Sequence, residues 1–247
     1  MVRIERLNII CVVRAHAPAL SPPALIFTWL GALLFFLSLA YFLFSYVTRF
    51  GVPASGGDIA APITWNVALF TVFALHHSLF AREPMRAAIA RTLPQPLERS
   101  FYVWVASLMF IAVCALWRPV PGVAWRVDGP MLWALRAVLA AGIVLTLSSA
   151  VVLDIRDLAG LRPARGAIEF KTSGPYGWVR HPIYSGWFLM VFAVSPMTMT
   201  RLVFAVVSCA YLIIAIPFEE RSLRTAASDR YERYMRQVPW RLVPRIY

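Results

Sequence analysis

Residues 183–218 read IYSGWFLMVFAVSPMTMTRLVFAVVSCAYLIIAIPF, two apolar runs parted only by a short stretch that follows Pro196. An α-helix needs about 17 or more apolar residues to cross some 30 Å of hydrocarbon, a length the second run reaches and the first nearly reaches. Pro196 cannot continue a helix, and residues 198–200 leave little chain for a loop, so 183–197 and 201–218 are predicted to form a tight helical hairpin. Four further runs of the same character precede it, at about 24–48, 64–81, 101–117 and 131–153. The fold class is therefore all-α: a polytopic membrane bundle of about six transmembrane helices, the fifth short.

Composition agrees with this reading. The chain has 247 residues, 60% hydrophobic and 15% charged, against about 45–50% and about 25% in soluble domains. One membrane domain is expected over 1–247, with an N-terminal cytoplasmic segment 1–23, four spans in 24–153, and a functional core with a C-terminal cap in 154–247. A cleaved signal peptide is not expected, because Asn8 and Arg14 interrupt the first apolar stretch.

Charge sets the orientation. Nineteen Arg and Lys fall in the N-terminal segment, the 82–100 and 154–182 loops and the tail after 218, whereas Arg49, Arg118, Arg126 and Arg201 lie on the other side. Basic residues favour the cytoplasmic face, so both termini and the two large polar segments are expected there. The net charge of +12 needs no nucleic-acid partner, and no recognition module accompanies it. Cys11, Cys114 and Cys209 are scattered and give neither a disulfide framework nor a metal site. His76-His77 lacks a further ligand four residues away in the same run, so no metal is assigned to it. His77 reads as a packing or acceptor-pocket residue.

Polar chemistry is densest where the 154–182 loop enters the fifth run, over Gly174-Pro175-Tyr176-Gly177-Trp178-Val179-Arg180-His181-Pro182-Ile183-Tyr184-Ser185-Gly186. Prolines and glycines impose irregular backbone, which near a membrane is tolerated where protein covers it or where it lines a cavity. An interfacial anchor made of Tyr, Trp and Arg is the plainer reading of the same residues. Past the last run stands Glu219-Glu220-Arg221, where solvated carboxylates paired with Arg221 and Arg224 are the plainer alternative to a pocket. Leu223, Ala227, Tyr231 and Tyr234 then recur at helical spacing, which predicts a cytoplasmic helix folded back over the site.

Gly174-Pro175-Tyr176, Val179-Arg180-His181-Pro182, Tyr184 and Gly186, followed by Glu219-Glu220-Arg221, Leu223, Tyr231, Tyr234, Val238-Pro239 and Pro244, resemble the signature of the isoprenylcysteine carboxyl methyltransferase superfamily. Upstream, His77-Ser78 through Arg82, Glu98 through Tyr102, Trp117 through Val123 and Asp157 through Arg162 resemble its bacterial methanethiol S-methyltransferase-like branch. The resemblance implies an integral-membrane enzyme that uses S-adenosylmethionine, with Tyr176, Val179, Arg180, His181, Pro182, Tyr184, Glu219 and Glu220 at the cofactor. It also implies a small or lipophilic acceptor, by preference a thiol. A thiol ionises more readily near a cation-rich face, which makes Arg221 and Arg224 candidates for that role; no dedicated base is then required, although His77 or His181 could serve. Asp154-Ile155-Arg156 stands where the branch carries a His and an aromatic residue, so methyl transfer is implied further than methanethiol itself. Carboxyl O-methylation of an isoprenylcysteine-type group, methylation of another lipid, and a non-catalytic scaffold or transporter are the alternatives. The oligomeric state is not legible.

Overall fold

Proline and terminal geometry start the principal helices. Pro22 and Pro23 open α1 (Pro22–Phe44) after Ser21, and Pro130 opens α4 (Gly129–Leu153) after Asp128, positions where the missing N–H costs nothing. The computed structural model describes residues 20–80, 91, 95–161 and 172–247. The other elements are α2 (Ala60–Phe80), α3 (Gln95–Leu116), β1 (Val123–Trp125), the one-turn α5 (Ile155–Leu158), α6 (Pro182–Phe192), β2 (Met197–Thr198) and α7 (Met199–Gln237). Helix α1 continues through a π-helical turn over Ser45–Arg49. The expectations for segment 1–23, for Cys11, for Ala81 and Arg82 and for Arg162 fall wholly or mostly outside the described residues.

Five helices are long and apolar enough to cross a membrane, at Pro22–Arg49, Ala60–Phe80, Leu97–Leu116, Gly129–Leu153 and Met199–Thr225. The chain is an all-α integral membrane protein. The predicted fifth span over 183–197 is cut short: α6 has 11 residues, about 16 Å at 1.5 Å per residue. Residues 193–198 complete the passage in non-helical form. Their far end pairs antiparallel with β1, Val123 opposite Thr198 and Trp125 opposite Met197, and the Thr198 hydroxyl donates to the Phe50 carbonyl at the end of α1. Side chains satisfy this irregular backbone, as a membrane requires. Ser195 Oγ bonds both N and O of Val127 at 2.9 Å, and the Arg201 guanidinium takes the Pro196 carbonyl at 2.7 Å.

The hairpin expected between the last two spans is thus only part of the packing of α6, whose largest interface is with α4. There Gly142 and Gly186 bring the backbones together: a Cβ on Gly186 would meet Thr146 Oγ1 and stand 2.8 Å from the Gly142 carbonyl. Small residues at such a crossing let two helices pack by van der Waals contact where no water drives them together. A cluster of aromatic rings fills the middle of the bundle, with Phe204 fully buried against Phe42, Phe50, Phe70 and Trp117.

Helix α7 runs on well past the apolar segment to Gln237 and breaks at Ala227, where the backbone leaves helical geometry. Beyond the break the chain turns back, so that Arg224 Nη2 lies 3.4 Å from Met235 Sδ. Leu223 and Met235 pack against Tyr231, Tyr234 and Val238 in a separate cluster. The predicted fold-back helix is therefore present, on the polar Gly174–Gly186 segment.

Candidate active site

The turn that enters α6 is built by its own prolines and by the C-terminal tail. Gly174 adopts φ of +58°, and a 3-10 turn over Gly174–Gly177 follows. The N–H groups of Arg180 and His181 then donate to the carbonyls of Trp240 and Arg241, both at 2.9 Å. Ser185 Oγ donates to the Leu242 carbonyl at 2.6 Å, and the Tyr234 hydroxyl to the Tyr176 carbonyl at 2.8 Å. The fold-back segment and the tail are thereby stitched along the turn.

Glu220 is the electrostatic centre of this arrangement. Arg180 Nε meets its Oε1 at 2.7 Å with side-chain exposures of 7% and 2%. Arg241 meets Oε2 at 3.1 Å, and His181 Nε2 stands 3.4 Å from Oε1. Arg180 also donates to the carbonyls of Val238 at 2.9 Å and Pro239 at 2.6 Å. A buried ion pair offsets its desolvation only when every remaining donor and acceptor is used. Here the carboxylate is enclosed by two guanidinium groups and an imidazole, which makes Arg180 and Glu220 a clamp holding the tail, the turn and α7 in register.

Glu219 does something different one residue earlier, because adjacent helix positions point about 100° apart. Its side chain is 44% exposed, accepts a hydrogen bond from the Tyr184 hydroxyl at 2.9 Å, and lies 3.7 Å from His181 Nδ1. The His181 and Tyr184 rings are nearly parallel at 5.4 Å. A half-open carboxylate beside a stacked aromatic pair suits a ligand carrying both an ammonium or hydroxyl groups and a positively charged centre.

A second polar group lies deeper in the bundle. His77 Nδ1 and the Tyr102 hydroxyl are 2.8 Å apart, joining α2 to α3, and Ser78 Oγ and the Tyr211 hydroxyl are 2.9 Å apart, joining α2 to α7. His77 itself keeps an exposed side chain on α2. His76 diverges from it, its ring 4.3 Å from that of Phe80 and both nitrogens buried without a hydrogen-bond partner.

The residues singled out in the sequence thus separate into groups. Arg180, His181, Tyr184, Glu219 and Glu220 converge; Tyr176, Val179 and Pro182 are buried and shape the turn. Burial pushes the phenols of Tyr176 and Tyr231 up, and that of Tyr234 up to about 12, so all three stay neutral. Arg224 stands one helical turn beyond Glu220 on the same face of α7. Arg221 does not share that face; it lies with Phe218 on an exposed flank. Sequence reasoning missed Arg241, Tyr211 and the pairing of Tyr102 with His77. Only the proximity of Arg241 to the Val238-Pro239 block signalled any of them.

Comparison with known proteins agrees with the geometry. The family model for the isoprenylcysteine carboxyl methyltransferase (ICMT) family matches residues 166–225, a segment that holds the turn and both glutamates. A methanethiol S-methyltransferase from Crocosphaera subtropica is 38% identical over 190 residues, 72% of this chain and 73% of that protein. Methanethiol S-methyltransferase 2 of Bradyrhizobium diazoefficiens is 35% identical, covering 82% of this chain and 83% of its own, and a methanethiol S-methyltransferase of Mycobacterium tuberculosis is 37% identical over 74% and 82%. With identities at this level across most of the fold, and the clamp inside the matched segment, the chain is an integral-membrane methyltransferase that belongs to the isoprenylcysteine carboxyl methyltransferase family.

Proposed function

We propose that the protein methylates a small thiol such as methanethiol with S-adenosylmethionine, at the cytoplasmic side of a bacterial inner membrane. The observation that carries the reading is the half-open Glu219 carboxylate, which accepts a hydrogen bond from Tyr184 beside the parallel His181 ring. The excess of Arg and Lys at the end of the bundle that holds the clamp supports the orientation.

The donor set fits this cofactor. Glu219 would take its ammonium or ribose hydroxyls, the His181–Tyr184 pair would face its cationic centre, and the Arg180–Glu220 clamp with Tyr176, Val179 and Pro182 would hold the turn in place. When bound, the cofactor supplies an electrophilic methyl group. A thiol acceptor reacts as the thiolate and must lose its proton. His77 would take it. The Tyr102 hydroxyl has an acceptor in the His77 carbonyl at 3.4 Å. With the phenol hydrogen there, His77 Nδ1–H donates to the phenol oxygen and Nε2 is free to accept. Arg224, on the Glu220 face of α7, contributes positive potential that favours the thiolate; Arg221 lies off that face and contributes less. Most of the remaining work is to align donor and acceptor and exclude water.

The test is transfer of labelled methyl from S-adenosylmethionine by the purified full chain, offered methanethiol, a longer alkyl thiol and a prenylated cysteine. Turnover on a thiol with none on the prenylcysteine carboxylate is expected. The opposite preference would reassign the acceptor, and absence of cofactor binding by folded protein would support a scaffold instead.

A further inference from the structure

At the end of the bundle remote from the clamp lies a cavity of about 230 Å³, walled by the α3–α4 connection, the first turns of α4, residues 193–196 and Arg201. Its charged lining is Arg126, Arg136, Arg201 and a single carboxylate, Asp128, and its one further polar side chain, Ser195, is bonded to the Val127 backbone. Among the described residues none of the three guanidinium groups has a carboxylate within ion-pair distance. Arg201 is buried and spends three of its N–H groups on the carbonyls of Tyr46, Pro196 and Val47, out of the five a guanidinium carries. The cavity is therefore cationic and keeps unspent donors.

Its remaining walls are apolar in a directed way. Leu132, Leu135 and Leu139 line it from one face of α4, at the spacing that stacks side chains along a helix. On the same helix Met131, Trp133 and Val138 are exposed, and the Arg136 guanidinium lies 4.7 Å from the centre of the Trp133 ring. Trp and Arg together favour the depth of lipid headgroups. A cationic mouth above an apolar wall that opens onto an exposed apolar helix matches one chemistry best, a phosphate carried on acyl chains.

We infer that this cavity binds the headgroup of an anionic phospholipid, with Arg126 and Arg136 on the phosphodiester and Arg201 setting the potential behind them. A zwitterionic lipid fits less well, because its choline would enter the same positive field. Neither arginine touches the clamp, so the site is separate from methyl transfer.

Native mass spectrometry of the detergent-released full chain, titrated with phosphatidylglycerol and with phosphatidylcholine, reads the inference directly. The wild-type protein should retain phosphatidylglycerol about tenfold more tightly, because the choline of phosphatidylcholine meets the positive field of the cavity. The R126Q/R136Q variant should lose that preference while melting at the wild-type temperature, and R136Q alone should lose part of it. Equal retention of the two lipids by wild-type protein overturns the inference, and this comparison decides even where the double variant fails to fold. Preference that persists in a folded double variant also overturns it. Displacement of phosphatidylglycerol by inorganic phosphate at comparable concentration would identify a free-anion site and overturn the assignment to lipid.

Discussion

Glu219 and Glu220 are neighbours with the same chemistry and opposite situations. Glu220 is enclosed by Arg180, Arg241 and His181, whereas Glu219 keeps nearly half its side chain open beside Tyr184. Replacing Glu220 leaves two guanidinium groups without their carboxylate, and breaking a buried pair in this way costs about 3–5 kcal/mol. E220Q should therefore lower the thermal midpoint clearly and lose cofactor affinity with it. E219Q should melt within about 0.5 kcal/mol of wild type, as exposed substitutions do, and still bind cofactor at least tenfold more weakly. Differential scanning fluorimetry beside cofactor titration separates the two, and equal melting losses would refute the division of roles. His77 is a matter of rate. H77Q should lower kcat for a thiol by about 10²–10⁴, the range of general-base catalysis, with the deficit shrinking as rising pH ionises the thiol unaided. A deficit that stays constant with pH would argue for packing instead.

At the scale of elements, α6 shows why a run of apolar residues is not yet a span. Its composition predicts a helix to 197, but the chain abandons helical geometry at Ala193 because residues 193–198 have better partners in Val127, Val123 and Arg201. Val123 and Val127 lie far away in sequence, so local pattern carried no trace of them. The turn and Glu219-Glu220 were legible because prolines, glycines and charge stand out against an apolar chain. Arg241 and the Tyr102–His77 pair were not, since each contact depends on how distant helices cross. The α4–α6 crossing makes its own prediction: G186A should cost about 1–3 kcal/mol through overpacking, as its Cβ would press on Thr146 and the Gly142 carbonyl. The fold-back segment makes another. Its phenols have raised pKa values in the folded state, Tyr234 to about 12, whereas a free phenol ionises near about 10. The detached segment therefore releases protons first as pH rises, so stability held below about pH 10 should be lost as pH climbs through about 12. Melting curves across that window should fall steeply, and less so for Y234F.

Considered whole, the molecule places a membrane scaffold and the tail that closes over the candidate site in different parts of one chain. Five long apolar helices and the short α6 need nothing after Gln237 to cross the bilayer, yet the turn at the heart of the site is held from the tail. Arg180 finds two of its three partners in the Val238 and Pro239 carbonyls, its own N–H pairs with Trp240, and Glu220 takes one of its cations from Arg241. A chain ending at Gln237 would keep the Arg180–Glu220 contact but leave the remaining lone pairs of Glu220 and two guanidinium donors to solvent. The backbone of residues 180–181 would then lose the partners that fix its entry into α6. Such a truncation should still insert and fractionate with membranes at near wild-type yield, while cofactor binding falls below detection. Adding the tail as a separate peptide should restore some of it, because its contacts are local and mostly to backbone. Wild-type affinity in the truncated protein would show that the closure is dispensable and that the clamp stands on Arg180 and Glu220 alone.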